Sequence, residues 1–233
     1  MKFIIDNEIF IKYPNTNVGV VVARGIDNFG ENFEIDQLMR NEKIRIRSSF
    51  ESETLSQDPR INSWRKVYSS FGAKPKDAKS SVENLYKMVT RGIDIRRINK
   101  LVDVYNYICL KYMVPVGGED VDKMVGDLQL TFAENEKPVK LLGDAEPEAP
   151  KDGEVVYKDS DSTICRRWNW RESDRTKLSE ETKNAILVIE GIPPINSESI
   201  QKATMEMSGL IGKYCGGENV IYLLNADNNI IDT

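Results

Sequence analysis

The chain has 233 residues, of which 40% are hydrophobic and 30% charged, and its formal net charge is −5. This composition is typical of a soluble globular protein, and an acidic chain is unsuited to non-specific binding of DNA. The chain has no histidine, which excludes Ser-His-Asp and Cys-His catalysis and the commonest general acid or base near neutral pH.

Cysteine usage and hydropathy define the compartment that we expect. Cys109, Cys165 and Cys215 form no Cys-x-x-Cys motif, so neither a zinc site nor any other metal or cofactor is predicted. The odd cysteine count and an N-terminus that turns acidic too early for a signal peptide favour the cytoplasm. No apolar run approaches the roughly 20 residues that span a bilayer, so no membrane partner is expected.

The N-terminal half predicts one buried strand followed by four helices. Asp58-Pro59 and Ser80-Ser81-Val82-Glu83 are typical helix starts, the second with the spacing of a capping box. The strand is predicted over 18–23, and the helices over 33–53, from Pro59 to near Gly72, from Ser80 to Gly92, and over 99–112.

The C-terminal half predicts further strands and one long helix. A short helical turn is expected over 120–125, strands over 127–133, 154–157, 163–169, 184–190 and 220–224, and a helix from Ser197 to Gly216. This order, without regular strand–helix–strand units, predicts an α+β fold. We expect a single domain over 1–233, with residues 1–57 as an N-terminal extension packed on it.

One predicted helix carries a line of polar side chains. Asn99, Asp103 and Asn106 have i, i+4 and i+7 spacing, which places them on one face, apart from the apolar stripe. Two carboxamides and a carboxylate in line suit a ribose or an amino group. The alternative is a polar face with local bonds to neighbouring loops.

A glycine pair followed by acids comes next. Gly117 and Gly118 are predicted to lie in a flexible loop, where their amides would approach an oxyanion or phosphate closely. The acids Glu119, Asp120 and Asp122 would bind a cationic group or Mg²⁺, although no metal is assigned to them. The alternative is a turn leading into an acid-rich helix start.

The stretch from Cys165 to Thr176 contains four arginines and two of the three tryptophans. Arginine with tryptophan suits stacking and bidentate anion binding, above all of nucleic acid. As a strand, this stretch would place Arg167 and Asn169 on one face and Arg166, Trp168 and Trp170 on the other. The alternative is a tryptophan-anchored strand whose arginines pair with nearby acids.

Two stretches carry a family resemblance. Residues 97–127 contain Arg97-Ile-Asn99, then Val-Asp103-Val-Tyr-Asn106, then Pro115 and Asp120-Val-Asp122-Lys123. This pattern resembles the tRNA-binding and editing region of the phenylalanyl-tRNA synthetase beta chain, its third and fourth modules. Residues 165–191 resemble free-standing proteins built from that region alone. The resemblance covers roughly residues 60–215.

The resemblance implies an α+β editing fold, a mixed sheet with packed helices, that hydrolyses the ester of a mischarged tRNA. The expected partner is the aminoacylated acceptor end of tRNA, not DNA, and no ligase activity is expected. The chain departs from the synthetase at 168–176, where the beta chain is rich in alanine and glycine, and at 117–119. The amino acid removed would be tyrosine, as in the synthetase, or canavanine, an arginine analogue that a free-standing class removes. Asp103, Glu119 and Asp120 suit a guanidino-like cation electrostatically.

Three functions remain open: a trans-editing deacylase, a noncatalytic RNA-binding module, and an enzyme acting on a small free carboxylate metabolite. In a deacylase, the Gly117 and Gly118 amides, or Arg167 and Arg171, would stabilise the oxyanion. Asn99, Asp103 and Asn106 would hold the amino group or ribose. The residues that would bind the substrate and the acceptor-end phosphates are Glu119, Asp120, Arg166, Arg167, Trp168, Arg171, Asp174, Arg175, Thr176 and Lys177.

Overall fold

Two β-sheets and six α-helices form the structure, a computed structural model that describes residues 1–233. The helices are Asn7–Lys12 (α1), Phe33–Ser49 (α2), Pro59–Ser70 (α3), Ser81–Thr90 (α4), Lys100–Tyr112 (α5) and Ser197–Cys215 (α6). The strands are Lys2–Ile5 (β1), Asn17–Arg24 (β2), Val116–Asp120 (β3), Leu128–Phe132 (β4), Val155–Lys158 (β5), Thr163–Arg166 (β6), Arg171–Glu172 (β7), Ala185–Gly191 (β8), Glu218–Leu224 (β9) and Ile230–Asp232 (β10). None of the helices is both long and apolar enough to cross a membrane.

The larger sheet has six strands in the order β10-β1-β4-β5-β6-β7, and the smaller sheet has four in the order β3-β8-β2-β9. The β1–β4 pair is parallel, whereas the other strand pairs of both sheets are antiparallel. Helices α5 and α6 pack against the smaller sheet, and α2 packs on α5. The predicted α+β class, with a mixed sheet and packed helices, is confirmed.

Polar side chains begin the helices that the sequence predicts. The Asn99 side chain accepts a hydrogen bond from the Val102 amide at 3.0 Å, and that of Asp58 accepts from the Arg60 amide at 2.9 Å. Each bond satisfies an amide that lacks a partner in the first helical turn. Ser80 caps α4 in the same way, through the Glu83 amide at 3.4 Å. The helix starts read from the sequence are therefore confirmed.

A single core of 53 buried residues includes side chains of both sheets and extends from Phe3 to Ile231. The first 57 residues contribute β1, which lies between β10 and β4, and β2, which lies between β8 and β9. Sequence reasoning treated this segment as an extension and predicted one helix and only one strand, β2, within it. Strand β1 pairs through its backbone with distant segments, and no local pattern in the sequence reveals such pairing.

Two local predictions are corrected. The predicted loop at Gly117-Gly118 is strand β3, paired with β8 through Gly117↔Val188 and Gly118↔Leu187. The predicted strand over 163–169 ends at Arg166, because Arg167 and Trp168 have left-handed φ angles of 51° and 66°. The predicted alternation of faces through Trp170 is therefore wrong, since two left-handed residues reverse the chain direction.

Candidate functional site

A cavity of about 460 Å³ lies between the two sheets, beside α4 and α5. We call it the central cavity. Its wall includes β3 and β8 from the smaller sheet and residues of β4, β5, β6 and β7 from the larger one. Its volume is in the range of small-ligand sites in proteins, so it accommodates an amino-acid side chain and the group attached to it.

Three glutamates line the central cavity: Glu119 on β3, Glu172 on β7 and Glu190 on β8. Glu119 and Glu190 are 7% and 1% exposed, whereas Glu172 keeps some accessible surface. No lysine or arginine nitrogen lies within the 4.0 Å ion-pair distance of Glu119, Glu172 or Glu190. Buried glutamates without an ion-pair partner favour a positively charged guest.

Glu119 and Glu172 have few hydrogen-bond partners. Glu119 Oε2 is buried and has none, while the Gly118 amide donates to Glu172 Oε1 at a long 3.5 Å. Burial raises the pKa of Glu119 well above its usual range, and the neighbouring Glu172 raises it further. Burial also raises the pKa of Glu172 to about 7. These carboxyl groups therefore resist ionisation in the ligand-free protein.

Glu190 is held by a buried network. Tyr157 Oη donates to its Oε1 at 2.6 Å, and Asn169 Nδ2 donates to its Oε2 at 2.7 Å. Tyr68 Oη in turn donates to Asn169 Oδ1 at 2.9 Å. Burial raises the pKa of Glu190 to about 7, although the bonds from Tyr157 and Asn169 oppose the shift. Glu190 therefore fixes part of the cavity wall, whereas the other two glutamates remain available to a ligand.

Trp170 and Arg171 are partly exposed residues of the cavity lining, which we call the mouth, and Arg167 stacks on Trp170 from outside the lining. The guanidinium carbons of Arg167 and Arg171 lie 4.0 and 4.6 Å from the centroid of the Trp170 ring. Arg171 also pairs with Asp144. Lys79 and Asp77 line the same cavity. The mouth thus combines aromatic surface with arginine nitrogens, the chemistry that binds bases and phosphates.

The central cavity brings together six of the site residues predicted from the sequence. They are Asn106, Gly117, Gly118, Glu119, Trp168 and Arg171. Trp168 is fully buried, and its ring lies 5.1 Å from that of Trp64 in an edge-to-face arrangement. It therefore forms part of the wall and the core at once.

Three other predicted residues lie outside the cavity lining. Asn99 caps α5, and its Nδ2 donates to the Leu178 carbonyl at 3.4 Å. Asp103 pairs with Arg97 at 3.0 Å; burial raises its pKa, opposed by the hydrogen bond from Arg97. Asp120 accepts from Thr182 Oγ1 at 2.7 Å. Asn99 and Asp103 therefore fit the alternative stated for this helix face, in which its polar side chains bond to neighbouring segments.

The remaining arginines of the Arg/Trp stretch are paired with acids of this chain. Arg166 is completely buried, and its Nε and Nη2 contact the two carboxylate oxygens of Glu154 at 2.9 and 3.0 Å. Arg175 pairs with Asp159 at 2.8 Å. These two arginines therefore fit the alternative interpretation of the stretch, in which its arginines pair with nearby acids.

The last three predicted residues, Asp174, Thr176 and Lys177, also lie outside the lining. Lys177 pairs with Asp174 at 2.6 Å. Thr176 is fully buried, and its hydroxyl lies 3.0 Å from that of Ser173. Asp174 and Lys177 remain partly exposed beside the cavity-lining strand β7.

Sequence reasoning missed Glu172, Glu190 and the tyrosine that holds Glu190. One signal was present for Glu190, because it interrupts the apolar strand Ala185–Gly191. A charged residue inside a buried strand is rarely tolerated without a partner or a function. Glu172 carried no comparable signal among the charged residues around it.

The region that supplies this cavity matches a known family. Residues 63–216, more than half of the chain, match the model of the B3/4 domain. The chain therefore belongs to the B3/4 domain family. The match contains all 23 residues that line the central cavity.

Curated relatives share parts of this region. The phenylalanine–tRNA ligase beta subunit of Fusobacterium nucleatum is 26% identical over 117 residues, 50% of this chain and 14% of the relative. That of Shewanella oneidensis is 30% identical over 66 residues, 28% of this chain and 8% of the relative. The chain thus matches only a small fraction of either subunit.

A solved structure, an N-terminal fragment of the phenylalanyl-tRNA synthetase beta subunit from Pyrococcus horikoshii, is 12% identical. The superposition covers 94% of this chain and 49% of the fragment, with a TM-score of 0.45.

Proposed function

We propose that this protein is an aminoacyl-tRNA deacylase that acts in trans on a mischarged tRNA. The observation that carries the proposal is the central cavity, which lies in the B3/4-matching region and changes character from its mouth to its interior. Trp170 and Arg171 at the mouth, with Arg167 stacked on Trp170, suit the acceptor end of RNA. The unpaired carboxyl groups of Glu119 and Glu172 suit a cationic amino-acid side chain.

The reaction requires little from the protein beyond positioning. An aminoacyl ester is already activated, so water adds to its carbonyl carbon, the bond to the ribose oxygen breaks, and that oxygen takes a proton. The vicinal ribose hydroxyl assists this proton transfer. Holding the ester and water in place contributes a large part of the rate enhancement, which agrees with a chain that has no histidine.

Two donors are available to the oxyanion. The Gly118 amide belongs to the edge strand β3 and makes only the long contact to Glu172. The Arg171 guanidinium lies at the mouth, paired with the half-buried Asp144. Asn106 lines the wall near these groups and suits the ribose or the amino group. Preorganised donors of this kind stabilise developing negative charge.

The acids of the cavity favour an arginine analogue over tyrosine as the amino acid removed. Of the acids expected from the sequence, Glu119 lines the cavity, whereas Asp103 and Asp120 are occupied by Arg97 and Thr182. Glu172 joins Glu119 there. A guanidino group offers several donors to two carboxylates. The phenol of tyrosine offers one donor and no charge.

A deacylation screen tests the proposal. The protein would be incubated with tRNAs charged with cognate and near-cognate amino acids, including canavanine on arginine tRNA and tyrosine on phenylalanine tRNA. We expect rapid ester loss from one mischarged species while cognate tRNAs are spared. Binding of tRNA without ester loss from any species would instead indicate a noncatalytic RNA-binding module. Equal turnover of free amino-acid esters and charged tRNA would indicate an enzyme of small metabolites.

A further inference from the structure

Glu119 and Glu172 form an acid pair in which neither carboxyl group has an ion-pair partner in the protein. They come from different sheets, and they line the central cavity together. The Glu119 side chain has one orphan oxygen in a residue that is 7% exposed. Unlike Glu190, neither member is held by a tyrosine or asparagine side chain; Glu172 accepts only the long bond from the Gly118 amide, and Glu119 accepts a hydrogen bond from Thr176.

The groups that face the acid pair supply little positive charge. The charge of Arg175 lowers the pKa of Glu119, as does a hydrogen bond from Thr176, but burial and the charges of Glu172 and Asp159 raise it. Burial raises the pKa values of Tyr105 and Cys165, and the charges of Glu119 and Glu172 add to both shifts. The titratable or charged groups around the pair are Asp77 and Lys79 ahead of α4, Tyr105 from α5, Tyr157 from β5, Cys165 from β6, Arg171 from β7, Glu190 from β8, and Asp159 and Arg175 from loops.

Two ionised carboxylates in such surroundings repel each other and lose hydration. A pair of this kind retains a proton at pH values where an isolated carboxyl group has lost it. The ligand-free cavity therefore lowers its charge by keeping a proton. A cationic guest supplies the same neutralisation and makes that proton unnecessary.

We propose that Glu119 and Glu172 form a cation site that exchanges its proton for the ligand. One guanidinium or ammonium group enters, and one proton leaves the acid pair for the solvent, so the net charge of the cavity is unchanged. The inference rests on the proposed function only for the identity of the ligand, which is taken to be the side chain of the acyl group. The binding chemistry itself needs no tRNA.

The exchange makes affinity depend on pH in a defined direction. At pH values below the pKa at which the pair loses its retained proton, cation affinity rises by up to about tenfold per pH unit, because the form that binds the cation has lost that proton. Above it, affinity levels off. A neutral ligand of the same shape shows no such rise, because it gains nothing from ionisation of the pair.

Calorimetry with two matched probes measures the exchange. Butylguanidinium, a permanent cation, and butylurea, its neutral isostere, would be titrated into the full chain between about pH 5.5 and 8.5. This range brackets the Glu172 pKa of about 7. Repeating each titration in buffers with different ionisation enthalpies counts the protons released. We expect release approaching one proton for butylguanidinium at the acidic end, and no net release for butylurea.

Variants assign the proton to the pair. Glu172→Gln keeps the shape but leaves a single carboxyl group, so we expect proton release to fall and the affinity profile to flatten. Glu198→Gln is the matched control, because Glu198 is largely exposed and pairs with Lys202 on the surface of α6. Its profile should equal that of the unsubstituted protein. A change in both variants would overturn the assignment.

Nuclear magnetic resonance of labelled glutamate carboxyls gives a ligand-independent check. A retained proton appears as one carboxyl of the pair titrating well above the exposed glutamates. Titration of Glu119 and Glu172 together with the exposed glutamates would overturn the inference, as would absence of butylguanidinium binding. Failure of the proposed function would look different. In that case the protein would still exchange a proton for the cation but would hydrolyse no charged tRNA.

Discussion

At the scale of single residues, Glu172 links the chemistry of the cavity to the stability of the fold. Burial raises its pKa to about 7, above the value of roughly 4.3 expected in an unfolded chain. The folded protein therefore prefers the protonated form. This contribution to stability is fully present below the unfolded pKa and is lost as the pH rises through the folded pKa.

The first prediction is that Glu172→Gln stabilises the protein in mildly alkaline solution. The neutral side chain removes the cost of ionising a buried carboxyl group, on the order of 3 kcal/mol at about pH 8. Thermal or urea unfolding of both proteins at about pH 5 and pH 8 measures the difference. Equal effects at the two pH values would show that Glu172 titrates normally.

The second prediction separates a buried structural ion pair from a partly exposed one. Arg166→Gln removes the bidentate partner of the buried Glu154 carboxylate, which keeps the Arg167 and Lys151 amides and the more distant Arg167 guanidinium. Because breaking a buried ion pair is costly, we expect a loss of roughly 3–5 kcal/mol in the free energy of unfolding. Lys177→Gln breaks a partly exposed pair and should cost no more than about 1 kcal/mol. Denaturant unfolding compares the two variants. A near-neutral Arg166→Gln would contradict the account of the buried pair Arg166–Glu154.

At the scale of secondary structure, helix α5 begins after Asn99, a residue that was predicted to belong to the site but has a structural role. Asn99 caps the helix, and Asn28 Oδ1 accepts from the Leu101 amide at 2.8 Å. The third prediction is that Asn99→Ala lowers the free energy of unfolding by about 0.5–2 kcal/mol. At a temperature where the variant is folded, ester hydrolysis should be retained. Loss of hydrolysis without loss of stability would indicate that Asn99 acts in catalysis.

The helices were predictable because their signals are local. Asp58, Ser80 and Asn99 stand next to the turns that they cap. Strand β3 was missed, since Val116-Gly-Gly-Glu-Asp120 has no apolar alternation and depends on pairing with β8. Local sequence indicates a helix start more reliably than a strand that is defined by its partner.

The turn after β6 was missed for a related reason. Arg167 and Trp168 take left-handed φ angles without the glycine or asparagine that usually signals them. The turn is held by distant contacts: the Trp168 amide donates to the Val155 carbonyl at 2.7 Å, and Arg166 pairs with Glu154. The residues of the turn alone give no indication of these contacts, because the partners lie at or just before the start of another strand.

At the scale of the whole molecule, the site depends on how the two sheets pack. Glu119 and Glu172 are separated by 53 positions in sequence and meet only at the cavity. The sequence indicated the Arg/Trp stretch, the glycine pair and Glu119 as candidates. It did not reveal Glu172 as the partner of Glu119, because that relation is set by packing of distant strands.

The fourth prediction concerns the N-terminal strand. Phe3 is completely buried and its ring lies 6.0 Å from that of Tyr157, the residue that holds Glu190. Phe3→Ala should lower the free energy of unfolding by roughly 3–5 kcal/mol. Ile11→Ala is the control, since Ile11 is 80% exposed and should change stability by at most about 0.5 kcal/mol. A small effect at Phe3 would indicate that β1 is only loosely attached.

The most direct test of the central claim compares two mischarged substrates in two proteins. Single-turnover ester loss would be measured for canavanine on arginine tRNA and tyrosine on phenylalanine tRNA, with the unsubstituted chain and with Glu172→Gln. The account predicts faster loss of the cationic acyl group, and a loss of that preference in the variant, whose fold is checked by its melting temperature. Equal rates for both substrates in the unsubstituted chain, or a preference that survives Glu172→Gln, would contradict selection by the acid pair.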